Sequence, residues 1–233
     1  MVYKKIKDMC ENVAKTLNSV YNMEKKESII FPTYSDNKTI RISEQEARVL
    51  FYNELIKYKN ITFSIETPTK LHYAGFAKHE PVVYNSGING SSASIDLSIY
   101  DNDDHIIPKI NMEFKSGQPS ISNIQKDLLK LYSEPGDGIW FHLHKTTRTQ
   151  ETMKCLVNKF NLSIENIINF YKNKNIEYIS DKDFFNLSKE IYLFLVLLNK
   201  NESNPIIKKC SVRISKNKEL IYENNELKYV TIK

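Results

Sequence analysis

The sequence predicts an α/β protein: a mixed central β-sheet flanked by helices, with a helical N-terminal element and a small C-terminal β-meander. Three observations predict it. Apolar residues recur at helical spacing near the N-terminus and after Ser43; side chains alternate apolar and polar over 93–100, 106–115 and 139–144; and a further helical pattern lies between the last two of those runs.

With 233 residues, 41% of them hydrophobic and 26% charged, the chain can bury one sizeable core. The expected division is an N-terminal helix and lead-in over 1–42, a core over 43–148, a helical extension over 149–204 and the meander over 205–233. A formal charge of +5 suits a protein that meets polyanions, though excess of this size is common elsewhere. Cys10, Cys155 and Cys210 are far apart and form no C-x-x-C pair, which argues against a disulfide framework or a cysteine zinc site. The N-terminal residues lack the apolar run of a signal peptide, and 191–198 is too short to span a bilayer. A soluble, cytoplasmic protein with no membrane partner is the expectation.

In chain order, Ile6, Met9, Val13, Leu17 and Val20 predict an amphipathic helix over 3–21. Ser43-Glu44-Gln45-Glu46 forms a capping box, after which Ala47, Leu50, Phe51, Leu55 and Tyr58 share a face, so a second helix should run to about Lys59. Residues 61–67 read as a strand stopped by Pro68, and the Gly- and Ser-containing 86–92 as a loop. Strands over 93–100 and 106–115 flank the turn-forming 101–105 and make the clearest hairpin. Ile121, Ile124, Leu128 and Leu131 predict a helix over 120–132, ended by Pro135-Gly136, and 139–144 a strand. Further helices are expected over 150–160, 164–173 and 181–199, the last apolar enough at 191–198 for a core or a homodimer interface. Strands over 206–214, 219–222 and 227–232, with a turn at Asn224-Asn225, complete the meander.

The chemistry lies in the hairpin. Alternation sends Ile95, Leu97 and Ile99 to one face and Ser94, Asp96 and Ser98 to the other; in the next strand Ile110, Met112 and Phe114 oppose Asn111, Glu113 and Lys115. The midpoint of positions 96 and 113 falls inside the 101–105 turn, so Asp96 can face Glu113. Opposed carboxylates destabilise a hairpin unless a cation or a proton neutralises one of them. Oxygen donors suit Mg²⁺, with Mn²⁺ able to substitute, and the Phe114 carbonyl offers another oxygen. Lys115 could orient the attacking water or stabilise charge on a phosphoryl group.

Asp96, a hairpin-length spacer and Glu113-Phe114-Lys115, between a preceding helix that carries acids and a following helix, resemble the PD-(D/E)xK, or restriction-endonuclease-like, nuclease superfamily. The resemblance covers residues 43–145 in the order helix, strand, strand, strand, helix, strand; Ile95 departs from it where the pattern has proline. It implies a restriction-endonuclease-like core and Mg²⁺-dependent phosphodiester hydrolysis, with DNA ahead of RNA as substrate and an endonuclease of bacterial restriction, defence or repair as the type. It also implies that Asp96 and Glu113 bind metal and Lys115 assists the water, with Glu46 best matching the additional helix glutamate. Gln125 falls where some relatives place a helix glutamine.

Rivals stand beside these. Glu46 could simply cap Ser43, Glu54 lies on the apolar helix face, and Glu66 is a candidate to reach the same cleft from its strand. His142 and His144 share a face with Trp140 but lack a third ligand nearby in sequence. Lys126, Lys130, Lys145, Arg148, Lys208, Lys209 and Arg213 are candidate phosphate contacts, and Tyr73, Tyr84 and Trp140 candidate stacking residues, each against an ordinary surface or core role. A catalytically inactive nucleic-acid-binding or assembly module and a non-nucleic-acid interaction protein are the alternative functions.

Overall fold

In a computed structural model of the chain, the described residues are 2–22, 40–74, 82–84, 91–101, 106–145, 149–173, 189–200, 202–214 and 220–223. They form helices α1 (Val2–Tyr21), α2 (Glu44–Leu55), α3 (Ile121–Ser133) and α4 (Thr149–Asn173). The strands are β1 (Thr62–Ala74), β2 (Val82–Tyr84), β3 (Ser91–Tyr100), β4 (Ile110–Ser116), β5 (Asp137–Lys145), β6 (Glu190–Leu198), β7 (Ile206–Ile214) and β8 (Leu220–Glu223).

These strands join one mixed sheet in the order β2-β1-β3-β4-β5-β6-β7-β8. The β4–β5 and β5–β6 pairs are parallel and the others antiparallel. Parallel neighbours need a crossover, and α3 and α4 lie in the two crossovers. The chain is therefore α/β with helices on both faces of a mixed sheet, as the sequence predicts.

Alternation distributes the core. On one face Leu97, Ile99, Met112, Phe114, Phe141 and Val196 pack against Ile6, Met9, Val13 and Leu17 of α1 and Ala47, Phe51 and Leu55 of α2. On the other, Trp140, Leu193, Leu195 and Val212 pack against Ile124, Leu128 and Leu131 of α3 and Val157, Phe160 and Ile164 of α4. Burying each large aliphatic side chain contributes roughly 1.5–3 kcal/mol. Helix α1 and the described part of 205–233 thus belong to the body of the fold: α1 covers one core, and β7 and β8 extend the sheet.

Several expectations change. The segment expected as a helix over 181–199 contains β6; residues 181–188 lie outside the described residues. Its unbroken run of eight apolar residues, 191–198, fills a strand between β5 and β7 whose two faces both meet core, so the run is interior rather than a dimer surface. The helices expected over 150–160 and 164–173 are one, α4, and α2 ends at Leu55, earlier than expected. Strand β1 continues through Pro68 because β2 pairs with His72 to Ala74; among the described residues the strand has only β3 as a paired neighbour at Pro68, and the missing N–H is tolerated there. The β1–β3 register shifts between Pro68 and His72. Strand β3 begins at Ser91, inside the expected 86–92 loop, and β4 at Ile110, after Pro108. The turn residues 102–105, the loop 86–90, the turn at 224–225 and the strand expected over 227–232 lie outside the described residues.

Two contacts set α3 against the sheet. Gly136, at φ 85°, places its backbone where an added Cβ would stand 2.3 Å from the Pro108 carbonyl oxygen, so only glycine fits. Beside it, Asn111 Nδ2 donates to the Pro135 carbonyl at 2.6 Å and accepts at Oδ1 from Ser98 Oγ at 2.7 Å, linking β3, β4 and the end of α3.

Candidate metal centre

The β3–β4 register is Leu97↔Met112, Ser98↔Asn111 and Ile99↔Ile110, so one step further Asp96 stands level with Glu113, as alternation and turn length predict. Backbone pairing has ended there, and the Phe114 N–H donates instead to Asp96 Oδ2 at 2.8 Å. The Phe114 side chain belongs to the opposite, apolar face.

Helix α3 closes over this face. Lys130 Nζ lies 2.5 Å from Glu113 Oε1, 3.6 Å from Asp127 Oδ1 and 2.8 Å from the Ser94 carbonyl, to which it donates. Lys115 Nζ lies 2.9 Å from Asp127 Oδ2. Asp127 and Lys130 are one helical turn apart and flank the apolar stripe of Ile124, Leu128 and Leu131, so burying the stripe presses both charges onto the strands. These groups line a cleft of about 550 Å³ with Pro68, Ser94, Asp96 and Lys126.

From the other side of the sheet, α2 reaches the site through Arg48. Its Nη1 lies 3.6 Å from Asp96 Oδ1, its Nη2 pairs with Glu66 of β1, and its Nε donates to the Tyr52 hydroxyl at 3.2 Å. Glu66, at φ 50°, also accepts from Ser94 Oγ at 2.6 Å. These two pairings hold a non-glycine residue in the left-handed region.

The electrostatics follow from burial and neighbours. Desolvation, then the Asp127 and Asp96 charges, push the Glu113 carboxyl well above its ordinary range against the pull of Lys130. Asp96 is raised chiefly by burial, offset by the Phe114 N–H and Arg48. Burial works against the ammonium forms of Lys115 and Lys130, but Asp127, Glu44 and Glu113 outweigh it at Lys115, and Glu113, Asp127 and Asp96 at Lys130; both are raised. Both lysines are therefore cations at neutral pH.

The sequence-predicted residues divide cleanly. Asp96, Glu113, Lys115 and Lys126 meet in the cleft. Glu46 does not: its carboxylate accepts from the Ser43 N–H at 2.7 Å and from the Ser43 hydroxyl, which is the capping box and leaves it off the cleft wall. The α2 acid that feels the site is Glu44, whose carboxyl is raised by burial and by Asp96 and Asp127 and is lowered by Lys115. Glu54 pairs with Lys57. Gln125 is buried, without a hydrogen-bond partner among the described residues and off the cleft wall, and Lys145 Nζ donates to the Ile40 carbonyl at 3.4 Å. Arg148 lies outside the described residues. His142 is fully buried and donates from Nε2 to the Gly117 carbonyl at 2.8 Å; burial, against the pull of that bond, keeps the ring neutral as a core residue. Arg48, Asp127 and Glu44 escaped the sequence reading; the one signal for Asp127 was a charge at the margin of an apolar stripe.

Compared with protein-family models, curated proteins and solved structures, the chain matches none. Among the described residues no helix is long and apolar enough to cross a membrane.

A divalent cation fits the donor chemistry. Asp96, Glu113, Asp127 and Glu66 meet three cations, Lys115, Lys130 and Arg48, so the paired cluster carries one carboxylate in excess. Among the described residues no three His, Cys, Asp or Glu side chains converge as a ready-made cage. Mg²⁺ keeps several waters and needs only one or two carboxylates, the arrangement that Asp96 and Glu113 offer.

Proposed function

We propose that the protein is a metal-dependent nuclease of the PD-(D/E)xK type that hydrolyses phosphodiester bonds, with DNA as the first candidate substrate. The observation that carries this reading is the register that brings Asp96 level with Glu113, two residues before Lys115, in a polar cleft roofed by α3. The order α2, β1, β2, β3, β4, α3, β5 contains the helix, three strands, helix, strand succession that the resemblance implies, with β2 as an added edge strand.

Asp96 and Glu113, with the Phe114 carbonyl, would hold Mg²⁺ or Mn²⁺. When bound, such an ion would supply a polarised water and charge for the phosphoryl oxygens. Asp96 is oriented by the Phe114 N–H and by Arg48. Lys115, held by Asp127 and charged at neutral pH, acts by placing positive charge beside the reacting phosphate rather than by accepting a proton. Lys126, exposed at the mouth of the cleft, is placed to meet a neighbouring phosphate. Restriction, defence or repair is the biological setting consistent with such an activity in the cytoplasm.

A second reading, an inactive binding or interaction module whose acids serve as ion pairs, draws support from the pairing of Glu113 with Lys130 and of Asp127 with Lys115. One experiment separates the two. Labelled single- and double-stranded DNA and RNA are incubated with Mg²⁺ or Mn²⁺ and either the wild-type protein or Asp96→Asn. Metal-dependent cleavage lost in Asp96→Asn supports the nuclease; no cleavage of any substrate, or equal cleavage by the variant, overturns it.

A further inference from the structure

Glu113 is 2% exposed, and a carboxylate so enclosed requires a cation or a proton. The cation that meets it is not the lysine of its own triplet, since Lys115 pairs with Asp127. It is Lys130, itself 5% exposed and delivered from α3, with the Ser94 carbonyl and Asp127 as further partners.

We propose that Lys130 is the resident counter-cation of the metal centre, and that a divalent cation binding to Glu113 displaces its ammonium into the cleft, where it becomes a contact for the substrate phosphate. The inference rests on the metal-dependent nuclease reading. An ammonium at hydrogen-bond distance from a carboxylate oxygen and a divalent ion bound to that carboxylate repel strongly at such short range, so Glu113 takes one or the other. Lys130 can leave without being stranded. Its flexible stem keeps the Ser94 carbonyl and Asp127 within reach, and its side chain already lines the cleft.

Charge balance favours the exchange. With every carboxylate ionised, Asp96, Glu113, Asp127 and Glu66 against Lys115, Lys130 and Arg48 leave one net negative charge, which attracts a metal and repels a phosphodiester. Adding a divalent ion turns the balance to one net positive charge, which a phosphodiester neutralises. The site would therefore accept metal first and substrate second.

The test uses the wild-type full chain. The protein is treated briefly with an amine-acylating ester, with and without Mg²⁺, and modification at each lysine is measured by peptide mass spectrometry; Mg²⁺ binding is followed by calorimetry in the same buffer, with Asp96→Asn as control. Modification of Lys130 should rise about tenfold with Mg²⁺, the change expected when one charge-assisted hydrogen bond is released. Lys115, whose Asp127 partner stays in place, should change little. Mg²⁺ binding with Lys130 still protected overturns the exchange and leaves the metal centre standing; no Mg²⁺ binding overturns the metal centre and the exchange together. Lys130→Gln should keep Mg²⁺ binding and lose cleavage, and wild-type cleavage by this variant overturns the phosphate contact.

Discussion

Asp96 and Glu113 stand level on β3 and β4, one step past the last paired residues, yet they take different partners: Asp96 accepts the Phe114 N–H at 2.8 Å, and Glu113 meets Lys130 at 2.5 Å. Amide substitutions separate charge from shape here. Asp96→Asn and Glu113→Gln keep an oxygen acceptor, so each should lose Mg²⁺ binding and cleavage while still folding, with unfolding free energy falling by about 1–3 kcal/mol and the larger fall in Glu113→Gln, which removes the Lys130 counter-charge. Calorimetry, a cleavage assay and urea denaturation check the three readouts. A full loss of fold in both variants would contradict the prediction.

Truncating one member of the buried pair should behave differently. Glu113→Ala leaves the Lys130 ammonium enclosed without its main counter-charge and should cost about 3–5 kcal/mol, whereas replacing both residues with methionine should cost much less. Urea denaturation of the single variants and of the double variant measures the coupling. Strictly additive losses would show that the two groups do not depend on each other.

Glu46 serves the helix and not the site. Glu46→Ala should lower stability by about 1 kcal/mol through the lost cap of α2, with Mg²⁺ binding and cleavage unchanged. Loss of metal binding in Glu46→Ala would return this residue to the site.

Acid sensitivity should trace to His142. Burial lowers its pKa from 6.5 to about 4, so below 6.5 the unfolded chain binds a proton that the folded chain refuses. Stability is therefore lost as pH falls from 6.5 towards 4, by up to about 3 kcal/mol from this group. Glu113 works in the opposite sense: its raised pKa adds stability at low pH that is lost as pH rises through the folded value. Denaturation of wild type and His142→Gln across pH 4 to 7 isolates the histidine contribution. An equal pH slope in both proteins would exclude it.

Much of the site could be read locally. A period of two decides which face of β3 carries Asp96 and which face of β4 carries Glu113 and Lys115, and the length of the intervening turn decides that the two acids stand level. Helices α1, α2 and α3 were equally legible, because their apolar positions recur at helical spacing and Ser43 and Ser120 mark the starts of α2 and α3. These features depend on neighbours a few residues away.

What residues 191–198 become depends on something else. An unbroken apolar run is compatible with a buried helix or with a strand covered on both faces, and only the docking of β6 between β5 and β7 chose the strand. Pro68 could remain inside β1 because β2 reaches no further back than His72. The same dependence holds at the site. Sequence alone determined an α/β chain with Asp96, Glu113 and Lys115 on one polar surface; tertiary packing decided that α3 would bring Asp127 and Lys130 to it, that Arg48 would reach Asp96 from α2, and that Glu46 would stay with its cap. Alternation sets the direction of a side chain along its own strand, but the charge it meets comes from whichever element buries its apolar stripe against that strand.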